Sequence, residues 1–118
     1  MDDYLLLVVE PVGQREARNE AEGHAAYDAM VRYAAELKAR GVLRAVESLA
    51  STRDAARLAV REGRRQLIDG PFAEAKEMVG GFFLLTGVTR EQAMAIAAEC
   101  PAAQFATIEV RKVGPCYT

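Results

Sequence analysis

The chain has no tryptophan, one histidine and two cysteines in 118 residues. A zinc site needs about four nitrogen or sulfur ligands, and His24, Cys100 and Cys116 do not supply them, so no metal is expected. A disulfide between the two cysteines is also disfavoured, because a strand is expected to separate them. About eight residues at ~3.3 Å each far exceed the ~7 Å Cα limit for a bridge. Both thiols are expected to be free, with Cys116 in a tail from which an intersubunit contact is conceivable. Neither cysteine has an activating histidine nearby in sequence, so thiol catalysis is not expected. Long apolar runs are missing too. Tyr4–Val9 falls far short of the ~20 residues of a membrane span and of a signal-peptide core, which leaves the cytoplasm as the expected compartment. With 15 basic and 17 acidic residues the net charge is −2. That balance lacks the basic excess of a nucleic-acid-binding surface. Arg61, Arg64 and Arg65 cluster, but they flank a turn and stand beside Glu62, as in a solvated hairpin. No cofactor motif is present: Gly80-Gly81 has neither the Gly-Lys-Ser/Thr ending nor the following helix of a phosphate loop.

What remains is an ordinary globular composition, 51% apolar and 27% charged, of a length that suits one domain with one core. Tyr4–Val9 is apolar at every position, as in a strand covered on both faces. Gln14–Arg18 is polar and reads as a loop. Asn19 to Glu22 has the spacing of a capping box and opens a helix over about 20–40, stopped by Gly41. Tyr27, Met30, Val31, Ala34 and Leu37 recur at helical spacing as its inward stripe. Val42–Ser48 reads as a strand and Ser51–Asp54 as a loop. Ala56–Arg61 and Arg65–Asp69 read as hairpin arms turned by Glu62-Gly63. Gly81–Thr86 is a second apolar strand. Thr89 to Gln92 is a second capping box, followed by a helix with Ala93, Ile96, Ala97 and Cys100 inward and Pro101 as its stop. Phe105–Val113 alternates as a strand with one wetter face. The order is that of a ferredoxin-like split βαβ α+β fold, of the dimeric α/β barrel type, with an inserted β-hairpin. Two helices cover one face of such a sheet, so the apolar residues on the other face call for a partner, here a homodimer packed sheet on sheet.

The densest chemistry lies in Asp69-Gly70-Pro71-Phe72-Ala73-Glu74-Ala75-Lys76-Glu77. Pro71 and Gly70 fix a turn there. Asp69 is a candidate general acid or base, or else a cap on the following turn. Glu74 and Lys76, with Glu77, are candidates for orienting a charged ligand, or else pair with one another at the surface. Phe72 lines a pocket or anchors the loop. On the first helix, His24 stands four residues before Asp28 and is either a boundary residue or half of an acid/base pair. Tyr27 brings a hydroxyl to a cleft or packs in the core.

Asp69-Gly70-Pro71-Phe72, its continuation to Glu77, and Gly80-Gly81-Phe82-Phe83 together resemble the YCII-related family, in its DGPF-domain branch. The likeness resumes at Ala97-Ala98 with Pro101 and at Ile108-Glu109-Val110-Arg111, and extends to Leu37 and Gly41-Val42-Leu43. The resemblance implies a dimeric ferredoxin-like fold and an undefined biochemical activity. Some members carry a His–Asp pair in a cleft. The position of that histidine, about eleven residues before the helix end, falls here on Met30 rather than His24, and only the acid has a counterpart, Asp69. The resemblance also implies a regulatory alternative, since some DGPF proteins look like companions of extracytoplasmic-function sigma factors. The expected function is therefore small-molecule binding at the Asp69–Glu77 loop in a dimeric cleft. The alternative is a non-catalytic adaptor linked to such a sigma factor.

Overall fold

A computed structural model describes residues 1–117. The main sheet is built from β1 (Asp2–Pro11), β2 (Leu43–Ser48), β5 (Glu77–Val88) and β6 (Thr107–Lys112), in the order β2-β5-β1-β6. Every neighbouring pair is antiparallel. A long helix, α2 (Glu20–Ala39), links β1 to β2, and α3 (Arg90–Glu99) links β5 to β6. This is the ferredoxin-like α+β arrangement expected from the sequence. The strands β3 (Ala56–Arg61) and β4 (Arg64–Asp69) pair only with each other, as a separate hairpin inserted between β2 and β5. Its turn at Glu62-Gly63 has both residues at positive φ, which is the geometry that joins twisted strands most tightly.

Alternation along β1 decides which side of the sheet is filled. Tyr4, Leu6 and Val8 are buried in one core with Phe83 and Leu85 of β5 and with Ile96 and Ala97 of α3. Leu5, Leu7 and Val9 point the other way, as every second strand residue must. They are half-buried beside their register partners Leu84, Phe82 and Val79. This face carries no helix, because both long helices lie on the side of Leu6 and Leu85.

The two capping boxes form as the spacing predicts. The Asn19 side chain accepts from the Glu22 amide and the Thr89 side chain from the Gln92 amide, and the reciprocal bonds are also made. The far end of α3 is satisfied differently. The amide of Cys100 turns back to Ala97, so the Ile96 carbonyl has no partner within its helix. The buried Tyr33 hydroxyl of α2 donates to it. Burial holds the Tyr33 phenol well above its usual pKa, so this donor keeps its proton. Burial likewise raises the thiol of Cys100, which lies in the core, whereas Cys116 is exposed; both are free, as expected.

Several expected boundaries move. Gln14–Ala17 is not a loop but a single helical turn, α1. Gly13 at φ 95° starts it, and the Ala17 amide closes it on the Gly13 carbonyl at 3.1 Å. Ser51–Asp54 contains a 3-10 turn at Thr52–Asp54. The strand expected at Gly81–Thr86 runs from Glu77 to Val88, because β1 offers ladder partners along its whole length and Gly80 is absorbed in a bulge. The last strand starts later than expected, at Thr107, because Pro101–Gln104 forms a 3-10 turn that carries the chain to Phe105. Tyr27 lies on the sheet-facing stripe, where it lines a cleft, but is not buried, at 57% exposure, whereas Tyr33 is buried at 6%. The cause is that α2 meets the core through its second half, at Met30, Tyr33, Ala34 and Leu37.

The Tyr33 bond supplies a direct check on how the helices are joined. Tyr33→Phe should lower stability by about 1–2 kcal/mol, since a buried carbonyl is left unpaired while the packing volume is nearly kept. Urea denaturation monitored by far-ultraviolet circular dichroism measures this, and an unchanged midpoint would contradict it.

Candidate functional site

The first half of α2 stands off the sheet and leaves a cleft of about 640 Å³. This is within the range of small-molecule sites. The helix wall keeps the space open with Gly23, Ala26 and Ala34, and Met30 and Val31 add apolar surface. Opposite them the floor is Val8, Val46 and Phe83. Tyr27, exposed on α2, lines the same cleft.

One polar cluster closes one part of the lining. Glu10 continues the inward phase of Tyr4, Leu6 and Val8 and is the one charged residue buried among the described residues, at 6% exposure. A buried carboxylate requires a cation and hydrogen bonds. Arg15 of α1 supplies both, with Nη2 donating to Glu10 Oε1 at 2.8 Å and Nε to Oε2 at 3.2 Å. The same guanidinium donates to the Leu49 carbonyl at 2.8 Å and to the Gly80 carbonyl at 3.3 Å. Gly80 makes the pair possible. The β1–β5 register slips between Val8–Gly81 and Val9–Val79, so Gly80 is the extra residue of a bulge. A Cβ at Gly80 would fall 1.7 Å from Glu10 Oε1 and 2.9 Å from Arg15 Nη2.

Beside this pair stands a second cation. The Arg18 guanidinium lies 4.5 Å from the centre of the Phe105 ring, a stacking contact that positions it. Arg18 also donates to Gln14 Oε1 at 3.3 Å, and Gln14 in turn donates to the Phe105 carbonyl at 2.8 Å. Arg18 and Phe105 both line the cleft, and Arg18 has no carboxylate partner among the described residues.

The residues singled out from sequence are dispersed. Asp69, at the end of β4, is exposed, as are Glu74, Lys76 and Glu77, and none of the four forms an ion pair among the described residues. None lines the large cleft. The turn that follows Asp69 packs tightly: the Gly70 amide donates to the Ala55 carbonyl at 2.7 Å, and a Cβ at Gly70 would lie 1.8 Å from the Thr52 carbonyl oxygen. The Gly70-Pro71 peptide is cis. Phe72 is covered by the Arg57 guanidinium at 3.8 Å and, with Ala75 and Glu77, borders a separate hollow of about 250 Å³. His24 is exposed on α2 and does not line the large cleft, whereas Tyr27 does.

Sequence reading missed Glu10, Arg15 and Arg18. One signal for Glu10 is present: a carboxylate in the buried phase of an apolar strand, with an arginine shortly after the turn. The register that brings Gly80 to Glu10 has no such local signature. No group of three or more His, Cys, Asp or Glu able to hold a metal occurs among the described residues. No helix among them is long and apolar enough to cross a membrane.

Against this geometry, a family model described as YCII-related domain matches residues 6–116. No curated protein matches the chain at a significant level.

The cradle around Glu10 makes opposite forecasts for two glycines. Gly80→Ala should destabilise the fold by about 2 kcal/mol or more, because the methyl group must displace a part-buried ion pair whose carboxylate lies inside. Gly23→Ala, in α2 with nothing within 4 Å of its added Cβ, should stabilise it by about 0.5–1 kcal/mol. Denaturant unfolding of the two variants compares them, and equal effects would refute the assignment of the cradle.

Proposed function

The chain belongs to the YCII-related family, and we propose that it binds a small molecule in the cleft between the first half of α2 and the sheet. The observation that carries this reading is a cavity of about 640 Å³ with an apolar floor and a built polar cluster, Glu10 with Arg15 and Arg18, in its lining. Concave apolar space with a few convergent polar groups is the general form of a ligand site. Glu10 is bonded in a bidentate pair to Arg15 and serves here as a fixed part of the wall. The reading thus moves the ligand away from the Asp69–Glu77 loop, whose exposed charges lie outside the large cleft. The Asp69-Gly70-Pro71-Phe72 motif supports placement in the DGPF branch, and its role is to pack the return from the hairpin against the Thr52–Asp54 turn.

A thermal-shift screen of metabolites tests the site. Ala26→Phe, which fills the cleft, should abolish a ligand-induced rise in melting temperature. Asp69→Asn should leave that rise unchanged. Loss of the shift in Asp69→Asn alone would return the site to the loop.

A second reading, an adaptor linked to an extracytoplasmic-function sigma factor, is favoured by the hairpin. Leu58, Val60, Leu67 and Ile68 lie there at 55–60% exposure, more apolar surface than a free hairpin has reason to carry. The cleft-filled variant separates the readings, since a partner held by the hairpin stays bound to it.

In either case we propose a homodimer joined through the helix-free face of the sheet. Leu5, Leu7, Val9, Phe82 and Leu84 form a contiguous apolar strip there by register, flanked on β6 by Thr107, Glu109 and Arg111. Light scattering should give about twice the 12.8 kDa chain mass. Leu84→Glu should reduce it to the monomer value, and a monomeric wild type at micromolar concentration would overturn the proposal.

A further inference from the structure

The charges around the cleft do not cancel, and the remainder has a sign. Glu10 and Arg15 neutralise each other. Glu47 also borders the cleft, but its register partner is Phe82, one step along from the Val46–Phe83 pair. Phe83 is buried on the helix side, so alternation puts the Glu47 side chain on the opposite face of the sheet. Arg18 is left as the one uncompensated charge among the side chains that face this space. Its guanidinium is held in place on the Phe105 ring and by Gln14. Most of its N–H donors are not engaged among the described residues. A pre-positioned guanidinium presents a planar fork that matches a carboxylate in bidentate fashion. The floor beyond it is apolar, formed by Val8, Val46 and Phe83 against Met30 and Val31.

We infer that the ligand is an amphipathic monocarboxylate, with its carboxylate on Arg18 and its apolar body between α2 and the sheet. This rests on the cleft being the ligand site, as proposed above. A single positive charge is balanced by a monoanion, whereas a dianion leaves net negative charge beside buried Glu10. A neutral ligand of the same shape leaves the Arg18 fork unpaired in a half-enclosed place. Arg15 does not share this role, because Glu10, the Leu49 carbonyl and the Gly80 carbonyl already occupy its guanidinium.

Calorimetric titration with 3-phenylpropionate, octanoate and the matching primary amides, alongside phenyl phosphate, tests the inference. In the wild type at least one acid should bind at least tenfold more tightly than its amide and more tightly than phenyl phosphate. Arg18→Gln should bring the acid down to the level of the amide, and Arg18→Lys should restore part of the difference. Ala26→Phe should abolish the binding of both. A circular dichroism melt of Arg18→Gln close to that of the wild type shows that its loss of preference is not loss of fold. Equal binding of acid and amide to the wild type, with both lost in Ala26→Phe, overturns the carboxylate assignment and keeps the cleft. Tighter binding of phenyl phosphate, or a preference that survives Arg18→Gln, overturns it as well. Absence of binding by every probe, or binding that Ala26→Phe leaves intact, overturns the cleft reading and this inference with it.

Discussion

A carboxylate placed inside a protein must be given a cation and hydrogen bonds, because its lost hydration is costly to leave unreplaced. Glu10 imposes that condition at the end of β1, and much of the local architecture answers it. Arg15 is brought in from the helical turn that follows β1 and reaches two further carbonyls, at Leu49 just past β2 and at Gly80 within β5. Two strands, the segment just past β2 and α1 are therefore tied at one guanidinium. The bulge in β5 and the missing side chain of Gly80 provide the room. Such a pair adds little net stability over an apolar replacement, but removal of either partner is costly. Its main consequence is positional. With α1 pinned, Arg18 and the N-cap Asn19 follow at set places, and so does the line along which α2 departs.

That departure divides α2 into two parts with different tasks. From Met30 onward it packs on the core and is bolted to α3 through Tyr33, whose ring also meets Phe83 edge-on at a centroid distance of 5.1 Å. Before Met30 it stands clear of the sheet, and its small residues at 23 and 26 leave space instead of filling it. Cohesion and cavity thus belong to successive turns of one helix, and rigidity in the second half is what keeps the first half in place.

The sequence revealed its regular elements through signals that act locally. Capping boxes at Asn19 and Thr89, the Gly63 turn and the unbroken apolar run of β1 each involve neighbours within a few residues, and each appears in the structure at or near its expected place. The Asp69-Gly70-Pro71-Phe72 motif was legible as a constrained turn and as a family mark. Its density of charge, however, drew attention to side chains that end up exposed. The cleft was not legible, because it depends on pairings across long separations: Glu10 with Gly80, Gln14 with Phe105, Arg15 with Leu49. Of the two expectations for Tyr27, cleft and core, spacing alone could not choose, for a related reason. Helical spacing identifies a stripe, but which stretch of that stripe meets the core is decided by how the whole helix leans.

The hairpin of β3 and β4 has a further meaning in terms of the chain's own grammar. It pairs with no strand of the main sheet, and its strands contribute no residue to the buried core. At its root the Leu49 amide meets the Gly80 carbonyl at 2.9 Å, so the chain leaves the domain and re-enters it at nearly one point. The hairpin between those points is a parenthesis from which the surrounding sentence borrows no buried word. Variation inside it can rewrite what the domain touches while leaving untouched the rules by which the domain folds.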